Sequence, residues 1–242
     1  MKAEFTETMY DEHDIPTALL DFCGYTRLFP LPNLVFFPHV MEPLHIFEPR
    51  YREMLEEAMD GDRLITIANF EPGWERQYER RPRLKTIGCI GRIVSHQLLD
   101  DGTANILLLG LSRVRIRREL SPDKMFREAK VELLHDHYPP ATESKRAAMR
   151  DRLMGVFRGS LNHCPEAAQQ LDVLLGPDIP LGMLTDVVAS SLRLSQQAKM
   201  KLLAETNVDR RLAMILRLVE GESHELRPVS CSGKYPPEFS LN

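Results

Sequence analysis

Apolar residues recur along this chain in two rhythms, and the change between them falls near residue 136. Before it they come as short runs: LVFF (34–37), EPLHIF (42–47) and LITIA (64–68). Prolines bracket the first two runs, and proline removes a ladder donor, so it belongs at strand starts, edges and turns. The pattern predicts two short strands, 34–37 and 42–47, joined by a tight corner at Pro38-His39. Pro49 then opens a helix at the position where its missing N–H costs nothing. Tyr51, Met54, Leu55, Ala58 and Met59 fall on one face and Arg50, Arg52, Glu53, Glu56 and Glu57 on the other. Asp60-Gly61-Asp62 should end it, with Gly61 as a left-handed cap.

Residues 69–85 have no period and several breakers and read as a loop. Beyond them TIGCIGRIVSHQLL and TANILLLGLSRVRI flank Asp100-Asp101-Gly102, a strong hairpin signal. The second arm ends in Arg113-Val114-Arg115-Ile116-Arg117, the alternation of a half-buried strand with its arginines to solvent. A strand from Phe126 to Leu134 follows, so the first half reads as a small twisted sheet or open barrel carrying one helix.

After His135-Asp136-His137-Tyr138-Pro139-Pro140 the rhythm is helical. Met149, Leu153, Val156 and Phe157 make one stripe, and Ala167, Leu171 and Leu174 the next. Leu181, Leu184, Val188 and Leu192 follow Pro180; Ser195 and Asn207 are placed to cap two further helices. The last helix carries Leu212, Ile215, Leu216 and Val219. The tail from Gly221 reads as irregular.

Composition narrows the classes. At 43% hydrophobic, 27% charged and a net charge of −4, this is an ordinary globular chain with no overall pull toward nucleic acid or anionic membrane. No run is long enough to span a bilayer, and the acidic N-terminus is unlike a signal peptide, so a cytoplasmic protein is expected. Cys23, Cys89, Cys164 and Cys231 form no C-x-x-C pair and read as reduced thiols, Cys89 within a strand. His39 and His45 flank Glu42, but in an extended strand they lie on the order of 20 Å apart. His135 and His137 lack a third ligand. No metal and no cofactor are expected.

Three blocks carry a resemblance. LFPLPNLVFFPHVMEPLHIFEPRY, IGCIGRIVSHQLLDDGTANILLLGLSRVRI and DIPLGMLTDVVASSLRLSQQAKMKLLAETNVDRRLAMILRLVE resemble, in order and spacing, the Lon substrate-binding domain over about residues 26–220. The IFEPRY form is similar to the stand-alone bacterial members. The second block carries the family's G-x-x-R-x-x-I and the third its N-V-x-x-R-L. The resemblance implies an α+β fold: a six-stranded PUA-like β pseudo-barrel with an inserted helix, then an all-helical C-terminal bundle. The expected divisions are an extension (1–25), the β-rich part (26–136), the helical part (141–220) and a tail (221–242). Lon protease continues into an AAA+ ATPase and a Ser-Lys protease. This sequence stops at Asn242 and has no G-x-x-x-x-G-K-[ST] phosphate loop, so a non-enzymatic protein is expected. Ser195 and Lys199 could mimic a Ser-Lys dyad, but helix capping by Ser195 accounts for the serine.

The resemblance implies recognition of unfolded or damaged polypeptide segments, with a separate ATP-dependent protease or chaperone as a possible collecting partner. The groove between barrel and helices is where binding is expected. Phe36, Phe37 and Met41 are candidates near it, Trp74 is the expected exposed anchor, and Arg113 and Arg115 could form a basic rim. Two alternatives stay open. Trp74 among Arg76, Arg80, Arg81, Arg83 and Lys85 could bind RNA by stacking and phosphate contacts, although Glu75 and Glu79 oppose it. A pocket between the halves could instead serve a small molecule or an unrecognised reaction.

Overall fold

A computed structural model describes residues 18–78, 81–160 and 179–221. Six strands form one mixed sheet: β1 (Tyr25–Pro30), β2 (Met41–Ile46), β3 (Leu64–Phe70), β4 (Leu84–Leu98), β5 (Ala104–Glu119) and β6 (Arg127–Leu134). Their order is β2-β5-β4-β3-β1-β6, and β6 also pairs with β5, so the ladder returns on itself. Only β1 and β3 run parallel; the other pairings are antiparallel. The described α-helices are α1 (Pro49–Asp60), α2 (Glu143–Ser160), α3 (Leu181–Ser191), α4 (Gln196–Ala204) and α5 (Val208–Gly221). The stripe at Ala167, Leu171 and Leu174, Cys164 and Cys231, residues 1–17 of the extension and residues 222–242 of the tail lie outside the described residues.

Many expectations match. The β4–β5 hairpin turns at Asp100–Gly102, where Asp101 accepts from the Thr103 N–H at 2.9 Å. Pro49 stands in the first turn of α1, which buries Tyr51, Met54, Leu55 and Ala58. Ser195 Oγ accepts from the Ala198 N–H at 3.2 Å and Asn207 Oδ1 from the Arg210 N–H at 3.0 Å, so both act as caps. Lys199 donates instead to the Ser190 carbonyl at 2.7 Å.

Two local expectations are corrected. The run LVFF is not a strand; the first strand is YTRLFP (25–30), and residues 34–37 lie outside every ladder. Pro32 and Pro38 break ladder pairing on either side. The buried Asn69 side chain holds the approach to that run instead, donating to the Leu31 and Leu34 carbonyls at 2.9 and 2.8 Å. The Pro38-His39 corner does form, with His39 at φ 63°. Its backbone crosses Gly110 so closely that a Cβ there would sit 2.1 Å from the Phe37 carbonyl oxygen, which explains the glycine. At the end of α1, Gly61 has φ −119°; the left-handed residue is Arg63, at φ 60°.

One cluster of buried apolar residues draws on both sequence halves, from Phe29, Phe36 and Phe37 to Leu184, Leu203 and Ile215. At the same joint lie four charges. The Arg113 guanidinium on β5 donates to both carboxylate oxygens of Asp186 on α3, through Nη1 at 2.9 Å and through Nη2, and its Nε reaches the Leu203 carbonyl at 2.9 Å. Arg211 on α5 donates to both oxygens of Asp136 at 2.9 and 2.6 Å and to Thr185 Oγ1 at 2.8 Å. Side chains of Arg113, Asp186 and Arg211 are 3%, 0% and 0% exposed, so Arg113 is not on the solvent face expected for it. The helices cover β5 at Arg113, and the formal charges of the four groups cancel. Arg115 and Arg117 emerge beyond the cover and pair with Glu132.

Candidate functional site

The stretch after β3 positions one wall of a concave feature among the described residues. Gly73, at φ 87°, turns the chain into a single 3-10 turn, Trp74–Gln77, a bend that an L side chain would strain. The loop expected at 69–85 is therefore shorter than its composition suggested: Asn69 and Phe70 belong to β3, Leu84 and Lys85 to β4, and 74–77 form the turn. Trp74 stacks on Phe70 with ring centroids 5.1 Å apart and 20° between planes, and Tyr78 packs edge-on to both. Across from this aromatic wall runs α4.

Between them lies an open groove of about 740 Å³. Phe70, Ile87 and Met200 line it with apolar surface, and Trp74 rises at one side, half-buried. Glu71, Glu75, Lys85 and Lys201 bring two negative and two positive charges; Glu71 and Lys85 approach at 4.0 Å. At the α4 end, Gln196 bridges the two walls by donating to the Pro32 carbonyl. The lining thus mixes apolar side chains, an aromatic flank and balanced charges, which suits an extended segment carrying a large apolar side chain.

A second cavity, about 280 Å³, is lined by His39, Arg113, His135, Asp136, Tyr138 and Met183 among others. Its polar groups are largely committed: Arg113 to Asp186 and Leu203, and the Tyr138 hydroxyl to the Gly182 N–H at 3.0 Å. Burial holds His39 below its ordinary value, against the raising influence of Asp186 and Asp136. Among the described residues no three of His, Cys, Asp and Glu gather as metal ligands, and His45 is engaged with Asn105 at 2.8 Å.

Of the residues expected at the site, only Trp74 lines the groove. Phe36 and Phe37 are core residues, 2% and 0% exposed, and cannot meet a ligand without opening the fold. Met41 is 59% exposed, but on the edge strand β2, outside the groove lining. Arg113 is locked in the buried charge cluster, and Arg115 sits on β5 beside Glu132. Met200, Gln196 and Gln197 on α4 were missed: in sequence they read as one more amphipathic turn, with no feature that distinguishes a groove wall. Arg76 and Arg83 are exposed, whereas Arg80 and Glu79 lie outside the described residues.

Comparison with known proteins places these observations. The family model of the ATP-dependent protease La (LON) substrate-binding domain matches residues 26–221. The Lon protease of Xanthomonas oryzae pv. oryzae is 28% identical over 195 residues, 80% of this chain and 22% of that one. The Lon protease of Escherichia coli K12 is 28% identical over 203 residues, 80% and 24% of the two chains. The chain thus spans about a quarter of the length of the curated relatives it matches. Among solved structures, the N-terminal domain of Mycobacterium avium complex Lon protease aligns with a TM-score of 0.63 at 16% identity, covering 81% of this chain and 98% of that one. A Lon N-terminal domain protein from Xanthomonas campestris aligns at 0.56 and 21% identity, covering 79% and 96%.

Proposed function

The chain belongs to the Lon substrate-binding domain family, and from that premise we propose that it recognises apolar segments of unfolded or damaged polypeptides without itself catalysing a reaction. The observation that carries this reading is the groove between the Trp74 turn and α4. Apolar and polar side chains share its lining, it is open to solvent, and its charges balance. Such a surface gains affinity from apolar area and little from ordered hydrogen bonds, so dissociation constants on the order of micromolar are expected. Two carboxylates in the lining oppose a phosphate backbone, which counts against the RNA alternative.

The same reading takes the returning ladder as a PUA-like pseudo-barrel, with a β-rich part (26–136) and a helical part (141–220) sharing one core. It places the protein in the cytoplasm, handing captured chains to a separate ATP-dependent protease or chaperone. Among the described residues no helix is long and apolar enough to cross a membrane.

The test is fluorescence anisotropy with a labelled, permanently unfolded polypeptide, its folded counterpart and an RNA oligomer, at two salt concentrations. Saturable, salt-tolerant binding of the unfolded chain alone is expected, and Trp74→Ala should weaken it about tenfold, or ~1.4 kcal/mol. Salt-sensitive capture of RNA without capture of the unfolded chain would overturn the proposal.

A further inference from the structure

The hexapeptide IFEPRY (residues 46–51) contains more polar chemistry than a helix start requires. Pro49 suffices to begin α1, and Glu48, at the N-cap position, makes no side-chain capping bond. Its carboxylate is used elsewhere. Glu48 Oε1 accepts from the Tyr78 hydroxyl at 2.8 Å, and Oε2 meets Arg50 Nη2 at 2.6 Å. The Arg50 guanidinium lies 4.6 Å from the Tyr51 ring centre and 5.0 Å from that of Tyr78. Its Nε is buried with no hydrogen-bond partner, so the side chain is held there by these contacts at the expense of one donor. Tyr78 in turn packs edge-on against Trp74 at 5.7 Å and Phe70 at 6.1 Å. Burial, and then Glu48, hold the Tyr78 phenol above its ordinary value, so it remains a donor at neutral pH.

We infer that Glu48, Arg50 and Tyr78 form a latch between the start of α1 and the 3-10 turn, and that this latch positions Trp74 as the wall of the groove. These are positioning residues; Trp74 is the group that would touch the ligand. The inference rests on the proposed role of the groove, but the latch itself can be read without any ligand. Trp74 is the protein's only tryptophan, so its fluorescence reports the wall directly.

Tyr78→Phe removes the hydroxyl and keeps the ring; Glu48→Ala removes the acceptor; Glu48→Gln retains an acceptor oxygen for Tyr78. Quenching of Trp74 by acrylamide should rise about twofold in the first two variants and stay near the wild-type value in Glu48→Gln. Affinity for the labelled unfolded polypeptide should fall about fivefold in the same two, the loss of one hydrogen bond's net contribution. Thermal midpoints should move little, because the turn lies at the surface. Unchanged quenching in both Tyr78→Phe and Glu48→Ala would overturn the latch, as would a shared drop in thermal midpoint with quenching unaltered in the folded protein. Increased quenching in a protein whose wild type binds no unfolded chain would leave the latch standing and remove the groove's proposed role.

Discussion

Replacing Asp186 with Asn tests whether the charge cluster at the joint acts as a balanced unit. Asn keeps the size of the side chain and removes one negative charge from a site where Arg113, Arg211 and Asp186 are 3%, 0% and 0% exposed. Arg113 then loses its bidentate partner, and Asp136, 3.4 Å away and engaged mainly with Arg211, cannot neutralise both cations. Removing one partner of a buried ion pair costs about 3–5 kcal/mol, because the other charge stays desolvated. With a urea m-value of about 2 kcal/mol/M, the unfolding midpoint should fall by ~1.5–2.5 M. Urea titration followed by Trp74 fluorescence and by far-ultraviolet circular dichroism would report the strand side and the helices together. The double variant Arg113→Met with Asp186→Leu, which leaves Arg211 and Asp136 paired, should recover most of the loss. A loss below about 1 kcal/mol for Asp186→Asn, or no recovery in the double variant, would refute the account of a desolvated, mutually neutralised cluster.

Two further outcomes follow from packing and titration. Phe37→Ala should cost about 3–5 kcal/mol, whereas Met41→Ala should stay within ~0.5 kcal/mol; thermal melts would separate core from surface. Stability should also decline in two stages on acidification. Burial lowers His39, against Asp186 and Asp136 and with Arg113 and Arg211, so the unfolded chain takes up that proton first. Stability then falls as pH drops below about 6.5, and His39→Asn, which tolerates the left-handed backbone, should remove this early stage. Asp136, which burial raises but Arg211 and Arg113 lower more strongly, and Asp209, lowered chiefly by Arg146, lie below the ordinary carboxylate value; their contribution should be lost as pH falls below about 4. Melting temperatures across this range would check both stages.

Periodicity made most elements legible: the hairpin, α1 and its buried face, and the caps of α4 and α5. It failed where a residue's environment comes from far along the chain. LVFF has the composition of a strand, but its neighbours are prolines and its Leu34 carbonyl is held by Asn69, some 35 residues away, whose carboxamide gives no sequence signal. Arg113, Arg115 and Arg117 alternate as a solvent-facing stripe should, yet the helices cover only the first. A clue was present in LGMLTDVVASS, where Asp186 interrupts an apolar helix and called for a buried cation. The family motifs G-x-x-R and N-V-x-x-R-L contribute those cations, Arg113 and Arg211, so both serve the joint and not the groove. Of the groove, Trp74 was legible as a lone aromatic in a polar stretch; its facing wall on α4 was not.

The single core that joins Phe36 and Phe37 to Leu203 and Ile215 has a consequence for synthesis. A ribosome delivers the proline-bracketed apolar run more than 160 residues before the helices that complete its surroundings, as the Pro32–Gln196 bond, 164 positions apart, illustrates. At about 5–20 residues per second the run stays without its final cover for roughly ten to thirty seconds. During that interval the nascent chain itself displays an exposed apolar segment of the kind its finished groove is proposed to capture.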